Sequence, residues 1–341
     1  MAVPVPSSIT YLGGADVAEL CADLPVVDLV RDTLLAFGRK DAGIAPETAL
    51  RWTTPTGASA RSLVLPAWAG EAYGCKLINA SLGNHRYGLP RAGGLIILAD
   101  PETAYPICIM EGARISALRT AGVTLAAVRA VRPLADLTSV AFLGCGRQAG
   151  VHQELLTAHC PALARITLFD QDRSRAEQTA AAWTAAHPEV TVTVAPQARD
   201  AVEQAQLTIA VTTTTEPYVE LDWLPEGGTF VNVSLDDAAE SLLLGCDHLF
   251  VDDWHLVVDD THRMLGVLAR AGRVGAPGTA APVGGRAVDA ELPSLVAGCY
   301  ARPITASERV VVNPFGMGVH DIVLASAVYA KAAGRGLALP R

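Results

Sequence analysis

The chain has 341 residues, half of them apolar and only 18% charged, with a formal net charge of −9 and a mean hydropathy of +0.30. Such a length and composition imply a large buried core in two domains, with apolar surface to spare for a subunit interface. Without a Lys/Arg cluster the acidic balance excludes a nucleic-acid partner, and no apolar run reaches the roughly 18 residues of a membrane helix.

In chain order, the opening Met1-Ala-Val-Pro-Val-Pro lacks the basic and apolar regions of a leader, and the seven cysteines form an odd set without a Cys-x-x-Cys pair. Both features predict a reduced, cytoplasmic protein. The eight histidines show no ligand spacing, so no metal is expected. Strands are predicted over 62–66, 73–79, 94–98 and 105–110, separated by Gly, Pro and Asn clusters, as in an antiparallel or mixed sheet. A long helix over about 111–132 then links two domains and stops before Pro133.

From 139 the pattern changes. Ser139-Val-Ala-Phe-Leu143 is an apolar strand, Gly144-Cys-Gly146-Arg-Gln-Ala149 a Gly-x-Gly-x-x-Ala turn, and Arg165-Ile-Thr-Leu-Phe169-Asp170 a second strand ending in a carboxylate. Each part suits a dinucleotide. Gly144 allows the tight turn, Gly146 lets a pyrophosphate approach, Ala149 lets the helix pack, and the helix N-terminus faces the phosphates. Asp170 accepts the ribose hydroxyls and repels a 2′-phosphate, which favours NAD, although Arg173 and Arg175 keep NADP open. Further strands are expected over 191–194, 207–212, 228–234 and 248–252. Helices are expected over 147–158, 173–187, 198–204 and 260–271. The fold class is therefore α/β: a doubly wound parallel Rossmann sheet plus a discontinuous α+β domain. The Gly/Pro/Ala-rich stretch 271–285 reads as a mobile loop, and a last helix over 319–333 returns to the first domain.

A few charges stand in apolar surroundings. On the linking helix, Arg114, Arg129 and Arg132 share one side, whereas Arg119 lies about 140° from Arg114 among Ile115, Gly122, Val123 and Ala126. A cation there needs an anion: either a core carboxylate in a structural ion pair or a substrate carboxylate gripped by the guanidinium. Lys76 is alone in an apolar strand, as a strand-edge lysine with its head in water or as a ligand. Asp236 and Asp237 follow a strand at its cofactor end, as a helix cap or as working acids, and Asp321 fits the first turn of the last helix.

At these residues the chain resembles the ornithine cyclodeaminase/μ-crystallin family. The resemblance runs through Gly74-Cys-Lys76, Asp100-Pro-Glu-Thr-Ala-Tyr-Pro106, Ile115-Ser-Ala-Leu-Arg119-Thr-Ala121, Gly144-Cys-Gly-Arg-Gln148 and Gly316-Met-Gly-Val-His-Asp321. Within the family, Ile96-Ile-Leu-Ala-Asp-Pro-Glu-Thr, Pro217-Tyr-Val-Glu-Leu-Asp-Trp223, Val251-Asp-Asp-Trp254 and Asn313-Pro-Phe-Gly-Met317 resemble the dehydrogenase branch that makes 2,3-diaminopropionate for siderophores or peptide antibiotics. The resemblance implies a homodimer built through the N-terminal domains and an active site between domains. It implies a substrate-binding and dimerisation domain over 1–130, completed by 311–341, and an NAD-binding domain over 131–310. Lys76 and Arg119 resemble the pair that holds the substrate carboxylate, with Arg61 and Arg91 as further cations. Gly144, Gly146, Arg147, Gln148, Asp170, Thr212, Thr214, Ser234 and Met317 are implied cofactor contacts. Asp237 resembles the acid beside the reacting amine, with Asp236 as the match in the neighbouring register, and Asp321 completes the catalytic set.

Cyclodeaminases of this family usually carry Pro-Gly-Lys after that aspartate and Asp-Ser before the late glycine. Here Ala238-Ala239-Glu240 and Asn313-Pro314 stand instead. The expected reaction is thus NAD-dependent oxidative cleavage of N-(2-amino-2-carboxyethyl)-L-glutamate to L-2,3-diaminopropionate and 2-oxoglutarate. The alternatives are an ornithine or lysine cyclodeaminase, a cyclic imino acid reductase, or a protein that only binds the nucleotide.

Overall fold

The computed structural model describes residues 8–234 and 236–340, so the opening residues read for a leader lie outside it. The chain forms two compact units, one from residues up to Thr120 and from Met317 on, the other from Ala121 to Gly316.

The second unit is an eight-stranded, all-parallel sheet. Its strands run in the order Thr191–Val194, Arg165–Phe169, Ser139–Leu143, Leu207–Ala210, Thr229–Asn232, Val310–Val312, His248–Val251 and Ala290–Glu291. Phe142, Phe230 and Phe250 are fully buried on strands paired on both sides, and the apolar runs are continuous because helices cover such a sheet on both faces. The first five strands follow the 3-2-1-4-5 order of a dinucleotide-binding sheet. The expected domain boundary at 310/311 falls inside Val310–Val312, which pairs with Thr229–Asn232 on one side and His248–Val251 on the other. The chain therefore leaves this unit only after Gly316. The helix Ala113–Val131 likewise changes unit in mid-course.

Two further expectations shift. The helix expected over 260–271 starts only at Met264, as Met264–Arg270, and a separate helix, Trp254–Asp259, which the sequence reading did not predict, precedes it. Asp253 caps the first, and Asp260 accepts the N–H groups of His262 and Arg263, which breaks the run. The stretch expected as a mobile loop is tied at its base, where Val274–Gly275 pairs with Arg286–Ala287.

The first unit is also an eight-stranded sheet. Its strands lie in the order Leu337–Pro340, Ser8–Leu12, Pro106–Glu111, Ala92–Ala99, Ala72–Ser81 and Ser59–Ala69. The long last strand carries Ala42–Ile44 at one end and Thr48–Thr53 at the other. Pairing is antiparallel except between Ser8–Leu12 and Pro106–Glu111. The helix Gly318–Lys331 packs across Ser59–Ala69 and Ala72–Ser81, and buried Leu63, Ala67, Ile96 and Met110 share the face beneath it. Alternation sends Leu50, Trp52, Trp68, Tyr73 and Leu95 to the opposite face, where all are exposed.

Candidate active site

In the nucleotide-type unit the turn after Ser139–Leu143 has the required geometry. Gly144 sits at φ +95°, and a Cβ there would come 2.9 Å from the Val211 carbonyl oxygen. Only glycine fits such a position. Gly146, at the N-cap of the helix Arg147–His159, has nothing within 4 Å of a Cβ position, so the space above the turn is open. Asp170 braces this turn: Oδ2 accepts from Cys145 N at 2.8 Å and Oδ1 from Asp172 N at 2.9 Å. Arg147 is exposed in the first turn of the helix, and Gln148 Oε1 is buried without a partner, a polar atom a cofactor can engage. An open helix N-terminus and a carboxylate at the end of the second strand fit NAD, which Gly144, Gly146, Arg147, Gln148 and Asp170 would hold.

At the C-terminal ends of the next strands, Asp237 is fully buried. It accepts from Thr212 Oγ1 at 2.7 Å, from Tyr218 OH at 3.2 Å and from Ser234 Oγ. Burial pushes its carboxyl above the usual range despite these three hydroxyl donors. Thr214 turns back on its own loop, donating to the Glu216 carbonyl and giving its N–H to Thr212 Oγ1. Asp236 accepts from Met264 N at 2.8 Å, and burial pushes it up to about 6. Neither acid caps the next helix in the chain, Glu240–Gly245, which starts after Ala239, but Asp236 satisfies the first N–H of the helix Met264–Arg270. Asn232, the last residue of the strand that precedes the two acids, accepts from Asp237 N and donates to Asn313 Oδ1. Sequence reasoning missed Tyr218 and Asn232, because neither shows periodicity or charge.

The first unit holds the other cluster. Lys76 lies on the interior strand Ala72–Ser81, paired between Leu65 and Ile96, so it is no strand-edge lysine. Its Nζ is 2.6 Å from Asp321 Oδ2, with Arg119 Nε 3.1 Å from the same oxygen. The three side chains are 3%, 0% and 13% exposed respectively, in the order Lys76, Asp321, Arg119. Gly318 explains how Asp321 arrives there. A Cβ on Gly318 would come 2.9 Å from that of Leu65, so the helix rests directly on the strand, and Asp321 three residues on reaches Lys76, the cross-strand neighbour of Leu65. Burial lowers Lys76 to about 8 against the pull of Asp321. Burial would raise Asp321, but Arg119 and Lys76 outweigh it and hold the carboxyl below its ordinary range. His320, buried beside them, is lowered to about 3 by burial and by Arg119, so it is neutral. Two cations thus share one carboxylate. Asp321 Oδ1 and both His320 nitrogens have no partner, and Arg119 Nε contacts Asp321 without hydrogen-bond geometry. A cluster of this kind can bind an anion and a donor together.

The structure does not gather the remaining candidates here. Arg61 lies on the Lys76 face but four residues along the strand from Leu65, about 13 Å away, and Arg51 is its cross-strand neighbour. Arg91 is exposed just before Ala92–Ala99, its carbonyl bonded by Ser81 N, and alternation turns it to the opposite face. Met317 is buried at the N-cap of Gly318–Lys331. Among the described residues no group of three or more His, Cys, Asp or Glu could hold a metal ion, and no helix is long and apolar enough to cross a membrane.

Comparison with known proteins agrees with this geometry. The chain is 29% identical over 313 residues to N-((2S)-2-amino-2-carboxyethyl)-L-glutamate dehydrogenase of Staphylococcus aureus, covering 90% of this chain and 89% of that one. A crystal structure of CmnK matches with a TM-score of 0.88 and 34% identity, covering 98% of both chains. The Thermococcus litoralis Delta(1)-pyrroline-2-carboxylate reductase, in complex with NADH and L-proline, has the same fold, with a TM-score of 0.83 at 21% identity over 98% of this chain and 100% of that one. The family model of ornithine cyclodeaminase/mu-crystallin matches residues 16–336. With that match and a turn built for NAD, the chain is an NAD-dependent oxidoreductase and belongs to the ornithine cyclodeaminase/mu-crystallin family.

Proposed function

We propose that this oxidoreductase cleaves N-(2-amino-2-carboxyethyl)-L-glutamate, a secondary amine joining two amino acids, into L-2,3-diaminopropionate and 2-oxoglutarate. The observation that carries the reading is the surplus of positive charge buried at Lys76, Arg119 and Asp321. An amino acid carboxylate offsets that surplus, and its amine gives Asp321 Oδ1 the donor it lacks. The Staphylococcus aureus relative, named for this substrate and aligned over 90% of the chain, supports the choice of amine. Two sequence departures point away from cyclisation. Ala238, in place of the proline, bridges to Val219, and Asn313 is bonded to Asn232.

NAD, held by Gly144, Gly146, Arg147, Gln148 and Asp170, would supply the oxidation as acceptor of a hydride from the glutamyl Cα of the neutral amine, so that a protonated imine is the species hydrolysed. Lys76 and Arg119 hold the neighbouring carboxylate, and Asp321 keeps both cations in place. Asp237 takes a proton from the water that adds to the imine carbon. Thr212, Tyr218 and Ser234 orient its carboxylate, and the raised affinity of this buried group for protons suits it to the task. Collapse of the adduct breaks the C–N bond: Asp237 returns its proton to the leaving nitrogen and takes the proton of the adduct hydroxyl, which becomes the carbonyl of 2-oxoglutarate. The exposed apolar sheet face, with Trp68 and Tyr73 stacked 6.0 Å apart, is assigned to a second copy of the chain. None of the seven cysteines is in a disulfide, which fits a reducing compartment.

The test is incubation of the purified protein with the synthetic conjugate and NAD. NADH should form in step with 2-oxoglutarate and diaminopropionate. Turnover of ornithine with no net NADH, and none of the conjugate, would overturn the assignment in favour of a cyclodeaminase.

A further inference from the structure

Arg173 and Arg175 follow Asp170 closely and occupy the first turn of the helix Arg173–Ala186, a turn that contains no acid. Cations there oppose the helix dipole, so helix stability does not account for them. They differ in what they touch. Arg173 is committed to its own helix, with Nε 2.8 Å from Glu177 Oε1 four residues on. Arg175 makes no such bond. Its Nη1 is 3.8 Å from Asp170 Oδ1 and its Nη2 is 3.5 Å from Asp172 Oδ2, distances of charge attraction rather than of good hydrogen bonds.

The two acids, in contrast, cannot turn away. Asp170 is pinned by Cys145 N and Asp172 N, and Asp172 caps the helix through Arg175 N at 3.2 Å. A loosely held guanidinium therefore stands beside the carboxylate that reads the adenosine ribose, and fixed negative charge opposes any anion that approaches it.

We propose that Arg175 is a reader of an adenosine 2′-phosphate, held in check by Asp170 and Asp172. Preference for NAD is then set by the charge of two pinned carboxylates, and not by the lack of a cation for the phosphate. A guanidinium pairs with a phosphate through two parallel N–H bonds, so removing one opposing charge suffices to open the subsite. The inference concerns the cofactor alone and does not depend on which amine is oxidised.

Calorimetric titration of the full chain with 2′,5′-ADP and with 5′-AMP tests it without any amino acid. Asp170→Asn keeps an oxygen for Cys145 N and removes the charge. It should raise 2′,5′-ADP affinity roughly tenfold or more and weaken 5′-AMP. Adding Arg175→Ala should abolish the gain, and adding Arg173→Ala should leave it. Asp172→Ser retains a helix cap and should move 2′,5′-ADP in the same direction by less, which covers the case of an Asp170 variant that loses its braced turn. A gain that survives Arg175→Ala, or no gain in either single variant, would overturn the proposal.

Discussion

Lys76 and Arg119 both depend on one oxygen of Asp321, and this inequality separates stability from function. Asp321→Asn leaves two buried cations without a counter-charge and should lower stability by about 3 kcal/mol or more, read in urea denaturation. Lys76→Met keeps the Arg119–Asp321 pair, so it should be milder in urea yet cut kcat/KM roughly 100-fold through the lost carboxylate contact. An unchanged kcat/KM would mark the cluster as a structural tie. The pH dependence follows from the same burial. Lys76 is lowered to about 8, so its ammonium is lost well before that of a free lysine, near 10.4. The kcat/KM profile should fall as pH rises through about 8, and Lys76→Arg should move that limb upward. In the sequence, Lys76, Arg119 and Asp321 each stand out as charges at odds with their neighbours. Their meeting does not, because 245 residues separate Lys76 from Asp321.

At the scale of elements, two glycines carry the geometry. Gly318→Ala would place a methyl 2.9 Å from the Cβ of Leu65, so the last helix must lift and take Asp321 from Lys76. Activity should fall while NADH binding, followed by fluorescence titration, stays as in the wild type. Gly144→Ala should do the reverse of this second readout and abolish NADH binding, since it combines φ +95° with a clash against the Val211 carbonyl. The parallel strands were legible because strands buried on both faces are short and continuously apolar. The strand Thr48–Thr53 has no such signal, being exposed along its length. The helix Val26–Gly38 does carry one, with Val26, Val27, Val30 and Leu34 at helical spacing, and the sequence reading passed over it. The break at Asp260 rests on a side chain bonding its own backbone, which periodicity does not report.

At the scale of the molecule, the sheet of the first unit presents Leu50, Trp52, Trp68, Tyr73 and Leu95 on an uncovered face. The dimer proposed for this face should dissociate to monomers in analytical ultracentrifugation when Trp52 and Trp68 are replaced with glutamate, with NADH binding retained. A sedimentation coefficient unchanged by both substitutions would place the interface elsewhere. The amino-acid order alone specified the cofactor and the two-part plan of the chain, because a glycine turn between an apolar strand and a helix is a local device whose parts lie within about 30 residues of one another. Only the tertiary structure decided that Lys76, Arg119 and Asp321 form one cluster, that Asp237 is gripped by Thr212, Tyr218 and Ser234, and that Val310–Val312 belongs to the parallel sheet. Each of these depends on strand register and helix seating across long stretches of chain, and local spacing carries no record of either.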